Sequence, residues 1–204
     1  MSLKRIAVLA SGSGSNFQSL IDSIHGRYGE ICLLAADNPQ AKALDRAEKN
    51  GIEHRIIDFR VLGADAFFEE LFSVLKKENP DLIVLAGFIK ILPEFFYDEF
   101  GYRIINIHPA LIPSFCGHGY YGIRVHEAVI ASGVKITGAT VHFADGGTDS
   151  GPVILQKAVP VSDDDTPESL QKKVLETEHE ILPEAVRLFL EDRLKVEGRR
   201  VYIL

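Results

Sequence analysis

Apolar residues in this chain fall into short unbroken runs, separated by segments with helical spacing. Ile6–Ala10, Ile31–Ala36 and Leu82–Ala86 are continuous runs, the pattern of strands buried on both faces. Ile52–Asp58, rich in β-branched residues, and Arg103–Ile107 predict two further strands. Between them, Phe17, Leu20, Ile21 and Ile24 recur at helical spacing. So do Phe67, Phe68, Leu71, Phe72 and Leu75, in a helix running to Asn79 ahead of Pro80. Ala41–Asn50, stopped by Gly51, and Glu94–Phe100 complete the helices of this half. Strands alternating with helices predict an α/β fold: a mainly parallel sheet with helices on both faces.

The second half changes rhythm. Ile123–Ser132 predicts a helix closed by Gly133, and Ile136–Phe143 alternates as a strand. Val153–Val161 predicts its hairpin partner, which makes the sheet mixed. Asp165, Thr166 and Pro167 form a helix start, so the acidic run Asp163–Asp165 is structural. Leu170, Val174, Ile181, Ala185, Val186 and Phe189 then mark a long helix, bent at Pro183. Leu194–Tyr202 closes as a small hairpin. One domain over 1–204 is expected, with a Rossmann-like half at 1–100, a catalytic half at 101–193 and a terminal hairpin at 194–204.

Five stretches carry candidate chemistry. Ser11–Asn16 (Ser-Gly-Ser-Gly-Ser-Asn) joins the first strand to the first helix, where bare N–H groups and the helix dipole hold an anion. Phe17 replaces the third glycine of a dinucleotide fingerprint, and the P-loop ending is missing. A tight turn without ligand and a site for the phosphate of a small molecule both fit; the second is preferred. Asn106 and His108 lie two apart at a strand end, on one face, before Pro109. That is where open α/β sheets bind ligands; a turn-capping Asn and a satisfied core His are the alternative. Asp145 and Asp149 sit among glycines between the hairpin strands. Gly87–Pro93 is an apolar loop with one cation, Lys90: a cover for the sheet's end or a wall for a flat ligand. Ser114–Gly122, with three glycines and three aromatics, suggests a lid; His118 reads as a solvated loop histidine and His142 as a structural one.

Composition narrows the classes. The 204 residues are 46% hydrophobic and 25% charged, ordinary for a soluble protein, and a net charge of -7 disfavours a general nucleic-acid surface. Cys32 and Cys116 make neither a disulfide framework nor a metal set, and no metal-ligand spacing is present. No run is long enough to span a bilayer, and the start lacks a signal peptide's apolar core. A cytoplasmic protein without membrane or nucleic-acid partners, monomeric or homodimeric, is expected. No Ser or Cys nucleophile stands beside His108. Asn, His and Asp together suit acyl transfer to an external nucleophile, with Asn offering an N–H to the developing oxyanion and a protonated His stabilising the same charge or moving protons.

Taken in combination, Ala10–Asn16, Leu85–Leu92, Asn106–Pro113 and Asp149–Ile154 resemble the phosphoribosylglycinamide formyltransferase family, folate-dependent enzymes of purine synthesis. The resemblance runs from Ile6 to about Phe189. It implies the family's mixed sheet and transfer of formyl from 10-formyltetrahydrofolate to glycinamide ribonucleotide, both small-molecule substrates, with no metal. At matching positions it implies that Asn106 and His108 stabilise the tetrahedral oxyanion, and that Asp149 holds the imidazole charged and orders a proton-relaying water. Ser13, Gly14, Ser15 and Asn16 would bind the substrate phosphate, and Glu178 the ribose hydroxyls. Ile89, Lys90, Ile91, Leu92, Asn106, Asp145, Gly146, Gly147, Thr148 and Asp149 would form the folate pocket.

Three positions depart from the family pattern. Lys90 stands where many members have Arg, Ala64 falls near a folate-contacting Arg of some members, and Phe115–Tyr121 is longer than usual, which leaves the alignment of His118 and His126 open. The related methionyl-tRNA formyltransferases carry an extra RNA-binding domain, and formyltetrahydrofolate deformylases an extra regulatory one; neither is expected here. A formyltetrahydrofolate hydrolase and a non-catalytic folate- or phosphometabolite-binding protein are the alternative functions.

Overall fold

The computed structural model describes residues 3–204, in two compact units that meet in sequence at Ile105 and Asn106. The first unit is built on β1 (Lys4–Ala10), α1 (Ser15–Ser23), β2 (Gly29–Ala36), α2 (Ala43–Lys49) and β3 (His54–Ile56). It continues through α3 (Phe59–Leu62), α4 (Ala64–Glu78), β4 (Leu82–Leu85) and α5 (Glu94–Phe100). Its strands pair in parallel in the order β3-β2-β1-β4. Strands β1 and β4 are inaccessible along their apolar runs, as strands flanked on both sides must be. Phe67, Phe68, Phe72, Phe95, Phe96 and Phe100 pack on one another edge-on or tilted, with centroids 4.9–6.3 Å apart.

Two expectations change here. The predicted third strand shrinks to three residues, because β3 ends the order and pairs only with β2. The extra helix α3 is one turn long, too short for a hydrophobic period. It is started by Asp58, whose carboxylate accepts from the Arg60 N–H at 2.9 Å.

The boundary falls within β5 (Ile104–His108). The second unit continues with α6 (Ile123–Ser132), β6 (Ile136–Phe143), β7 (Val153–Pro160), α7 (Pro167–Leu190), β8 (Leu194–Glu197) and β9 (Arg200–Ile203). Strands β6 and β7 form the expected antiparallel hairpin, β9 pairs in parallel with β7, and β8 and β9 are antiparallel. At the start of α7, the Thr166 hydroxyl accepts from Ser169 N–H and the Ser169 hydroxyl from Thr166 N–H. Asp165 accepts from Ser162 N–H, the Ser169 hydroxyl and Lys173 Nζ, and Lys173 above all holds its carboxyl down at about 2.

Helix α7 runs unbroken through Pro183. A buried proline costs a helix about 3 kcal/mol. The buried side chains of Leu170, Val174, Ile181, Leu182, Val186, Leu188 and Leu190 each return about 1.5–3 kcal/mol, so the helix continues. Among the described residues no helix is long and apolar enough to cross a membrane.

Candidate active site

In the second unit the side chains of Asn106 and His108 leave β5 on one face and converge on Asp149. Asp149 Oδ2 is 3.6 Å from His108 Nδ1, and Asp149 Oδ1 accepts from Asn106 Nδ2 at 3.4 Å. Three residues separated by up to 43 positions are thus brought together, as the sequence reading expects. Asp149 reaches them from the β6–β7 loop with φ +54, a left-handed conformation that Asp tolerates better than most residues. The loop's tightness rests on Gly151: a Cβ there would lie 1.8 Å from the Phe143 carbonyl oxygen. Asp145, read as a folate-pocket residue, accepts from Gly147 N–H at 3.1 Å and from the Ser150 hydroxyl at 2.6 Å, so its carboxylate shapes the loop. Gly146, Gly147 and Thr148 lie exposed at its tip.

His142 belongs to this cluster, and the sequence offered no sign of it beyond a histidine in an alternating strand. Its Nδ1 is 2.8 Å from the Phe143 carbonyl, which only accepts, so Nδ1 carries the proton. Nε2 is then free to accept from Asn106 Nδ2 at 3.1 Å. Burial, above all, pushes the His142 pKa down, which keeps the ring neutral and this assignment intact. One Asn106 N–H is therefore firmly held by His142. The other, in its long bond to Asp149, is the one left to turn toward a substrate oxygen.

The segment after β5 encloses the cluster. His108 Nε2 donates to the Phe115 carbonyl at 2.9 Å, and Gly117 N–H donates to Asp149 Oδ2 at 2.9 Å. Thr140, fully buried, donates to the Ala110 carbonyl at 2.6 Å and accepts from Ile112 N–H and Gln156 Nε2. Gln156 also donates to the Ile112 carbonyl. Thr140 and Gln156 thereby fix the chain just beyond His108. The Cys116 thiol donates to the Pro113 carbonyl, and its pKa is pushed up by burial and then by Asp149, which leaves it a poor nucleophile. His118 is exposed, as expected of a loop histidine.

His126, on α6, is 1% exposed, and its Nδ1 has no hydrogen-bond partner among the described residues. Burial, assisted by His108, lowers its pKa to about 4. An unfolded histidine titrates near 6.5, so between these values acid protonates the unfolded chain first. Stability from His126 is complete above pH 6.5 and falls as pH drops toward 4, by at most about 3 kcal/mol. Urea unfolding at pH 7 and pH 4.5 should show a larger loss for the native protein than for His126→Gln. Equal losses would remove His126 as the cause.

In the first unit, the Ser11–Asn16 loop and the Gly87–Pro93 loop are tied by two bonds. Ser11 N–H donates to the Gly87 carbonyl, and Ile89 N–H to the Ser11 hydroxyl, both at 3.1 Å. Ile89 and Ile91 are 51% and 52% exposed and present an apolar wall, whereas Leu92, at 3%, is core. Lys90 Nζ lies 3.4 Å from buried Asp37 and 4.5 Å from the Phe59 ring centroid, so its charge is turned into the protein. Gly14, at φ +68, caps α1 and packs so close to Ala43 that a Cβ would lie 2.8 Å from it. Asn16 is buried; Ser13 and Ser15 are accessible. Glu178 is buried on α7, in the second unit.

Residues 4–186 match the formyl transferase family. The chain is 34% identical over 191 residues to the phosphoribosylglycinamide formyltransferase of Bacillus subtilis, covering 92% of this chain and 95% of that protein. It is 39% identical over 204 residues to the trifunctional purine biosynthetic protein adenosine-3 of Bos taurus, but spans only 20% of that protein's length. Among solved structures, glycinamide ribonucleotide transformylase 1 from Symbiobacterium toebii superposes with a TM-score of 0.92 at 40% identity, over 99% of this chain and 94% of that one. The mixed, mostly parallel sheet with helices is the fold these structures share.

Proposed function

The chain belongs to the formyl transferase family, and we propose that it transfers the formyl group of 10-formyltetrahydrofolate to the amine of glycinamide ribonucleotide. The products are formylglycinamide ribonucleotide and tetrahydrofolate, a step of de novo purine (IMP) synthesis. The observation that carries this reading is the convergence of Asn106, His108 and Asp149, with no serine or cysteine nucleophile among them. Such a site has no covalent acyl carrier to offer and suits direct attack by an external amine.

The amine nitrogen adds to the formyl carbon, and the carbonyl electrons pass to oxygen. Asn106 Nδ2–H and the His108 ring stabilise that oxygen; Asp149 pairs with the ring when it carries its second proton. Collapse breaks the bond from carbon to the folate N10. The proton lost by the attacking nitrogen reaches N10 through a water that Asp149 orders. His142 is a positioning residue here, holding the Asn106 amide. Ser13, Gly14, Ser15 and Asn16 bind the ribonucleotide phosphate, and Glu178 its ribose hydroxyls. Ile89 and Ile91, with the Asp145–Asp149 loop, receive the pterin. Lys90 contributes through its pairing with Asp37, which steadies the Gly87–Pro93 loop.

The test is tetrahydrofolate release from 10-formyltetrahydrofolate by the purified protein, with and without glycinamide ribonucleotide. Release that requires the ribonucleotide is expected. Release without it would make the protein a hydrolase, and folate binding without release a binding protein.

A further inference from the structure

The glycine loop in the first unit is held from behind by α2. Ala43 N–H donates to the Gly12 carbonyl at 3.2 Å, and Arg46 Nε donates to the Ser13 carbonyl at 2.9 Å. Arg46 Nη1 also donates to Gln18 Oε1 at 3.0 Å, and Gln18 Nε2 in turn donates to Asp22 Oδ1 at 2.9 Å. The guanidinium therefore bridges the loop and the first turns of α1, and the relay ends on a carboxylate.

A trans peptide sets its C=O and N–H in opposite directions. Pinning the carbonyls of Gly12 and Ser13 toward α2 thus turns the N–H groups of Ser13 and Gly14 away from it. Neither N–H has a partner among the described residues. Successive N–H groups facing one way, at the start of a helix, form an anion-binding concavity. Arg46 adds a positive charge behind it.

We propose that Arg46 is a positioning residue for the phosphate loop: by clamping the Ser13 carbonyl it sets the Gly14 N–H, and with Ala43 the adjoining Ser13 N–H, toward the substrate phosphate. This rests on the proposed ribonucleotide reading, and no residue so far assigned to phosphate performs it. The fork of Arg46 serves two acceptors on different elements at once, which an ammonium on a flexible stem does not reproduce.

The test compares Arg46→Ala and Arg46→Lys with the native protein. Steady-state kinetics should show the KM for glycinamide ribonucleotide raised about tenfold in Arg46→Ala and by a smaller factor in Arg46→Lys, the scale of one lost charge-assisted hydrogen bond. Turnover at saturation and the KM for 10-formyltetrahydrofolate should stay within about twofold. The unphosphorylated glycinamide riboside, given at high concentration, should be used equally well by all three proteins, because it never engages the loop. Calorimetry with ribose 5-phosphate separates the two readings. Binding by the native protein that weakens in Arg46→Ala supports the proposal. Unchanged binding overturns it. No binding by the native protein overturns the phosphate reading beneath it. Equal losses for ribonucleotide and riboside would make Arg46 a general structural residue, and the proposal would fall. Should Arg46→Ala not fold, Gln18→Leu, which removes only the guanidinium's outer anchor, must raise the same KM selectively.

Discussion

Replacing His108 with alanine should lower turnover by about a hundredfold to ten-thousandfold, the range for removal of a positioned acid–base group. The substitution removes the ring whose Nδ1 faces Asp149 and whose Nε2 bonds the Phe115 carbonyl. It also costs stability, since a half-buried carbonyl losing its donor is worth about 1 kcal/mol. On a chain of this length that is roughly 2–4 °C of melting temperature per kcal/mol. A melting curve therefore accompanies the kinetics. The expected result is a folded protein, a few degrees less stable, with turnover nearly lost and the KM for the ribonucleotide little changed. A folded variant turning over at close to the native rate would remove His108 from the chemistry.

For Asp149→Asn we expect at least about a hundredfold loss of turnover, from charge alone. Asparagine has nearly the same shape and tolerates the φ of +54 that this position demands, so the loop should keep its course. Asp149 uses both oxygens as acceptors: Oδ1 for Asn106 Nδ2 and Oδ2 for Gly117 N–H. An amide can replace only one of them. Retaining the shorter bond to Gly117 sets an NH2 group against the amide of Asn106, a donor against a donor. The negative charge opposite His108 is lost as well. Circular dichroism should be unchanged while single-turnover formyl transfer slows. A rate within about threefold of native would mean that the carboxylate neither pairs with His108 nor orders a proton-relaying water.

Much of the secondary structure was legible because local rules agree with one another. Helices α5 and α6 and strand β6 begin and end where periodicity and the capping glycines put them. The errors lie where context decides. Strand β3 is short because it has one neighbour, and α3 has no period to read. The site divides in the same way. Asn106 and His108 advertise themselves by sharing one strand end, and Asp149 by its glycine loop. His142 carries no local mark, because its role comes from an amide 36 residues away. Arg46 likewise is an ordinary helical arginine until the Ser13 carbonyl is placed beside it.

By itself the sequence determined the class of fold, the order of its main elements and the chemical types at the end of β5, since these follow from side-chain period, turn residues and capping, all local in the chain. Tertiary structure alone decided which side chains meet, that His142 holds the Asn106 amide, and that Lys90 turns its charge onto buried Asp37. Those outcomes depend on distances across pairings far apart in sequence, and on burial that strengthens each contact once water is removed.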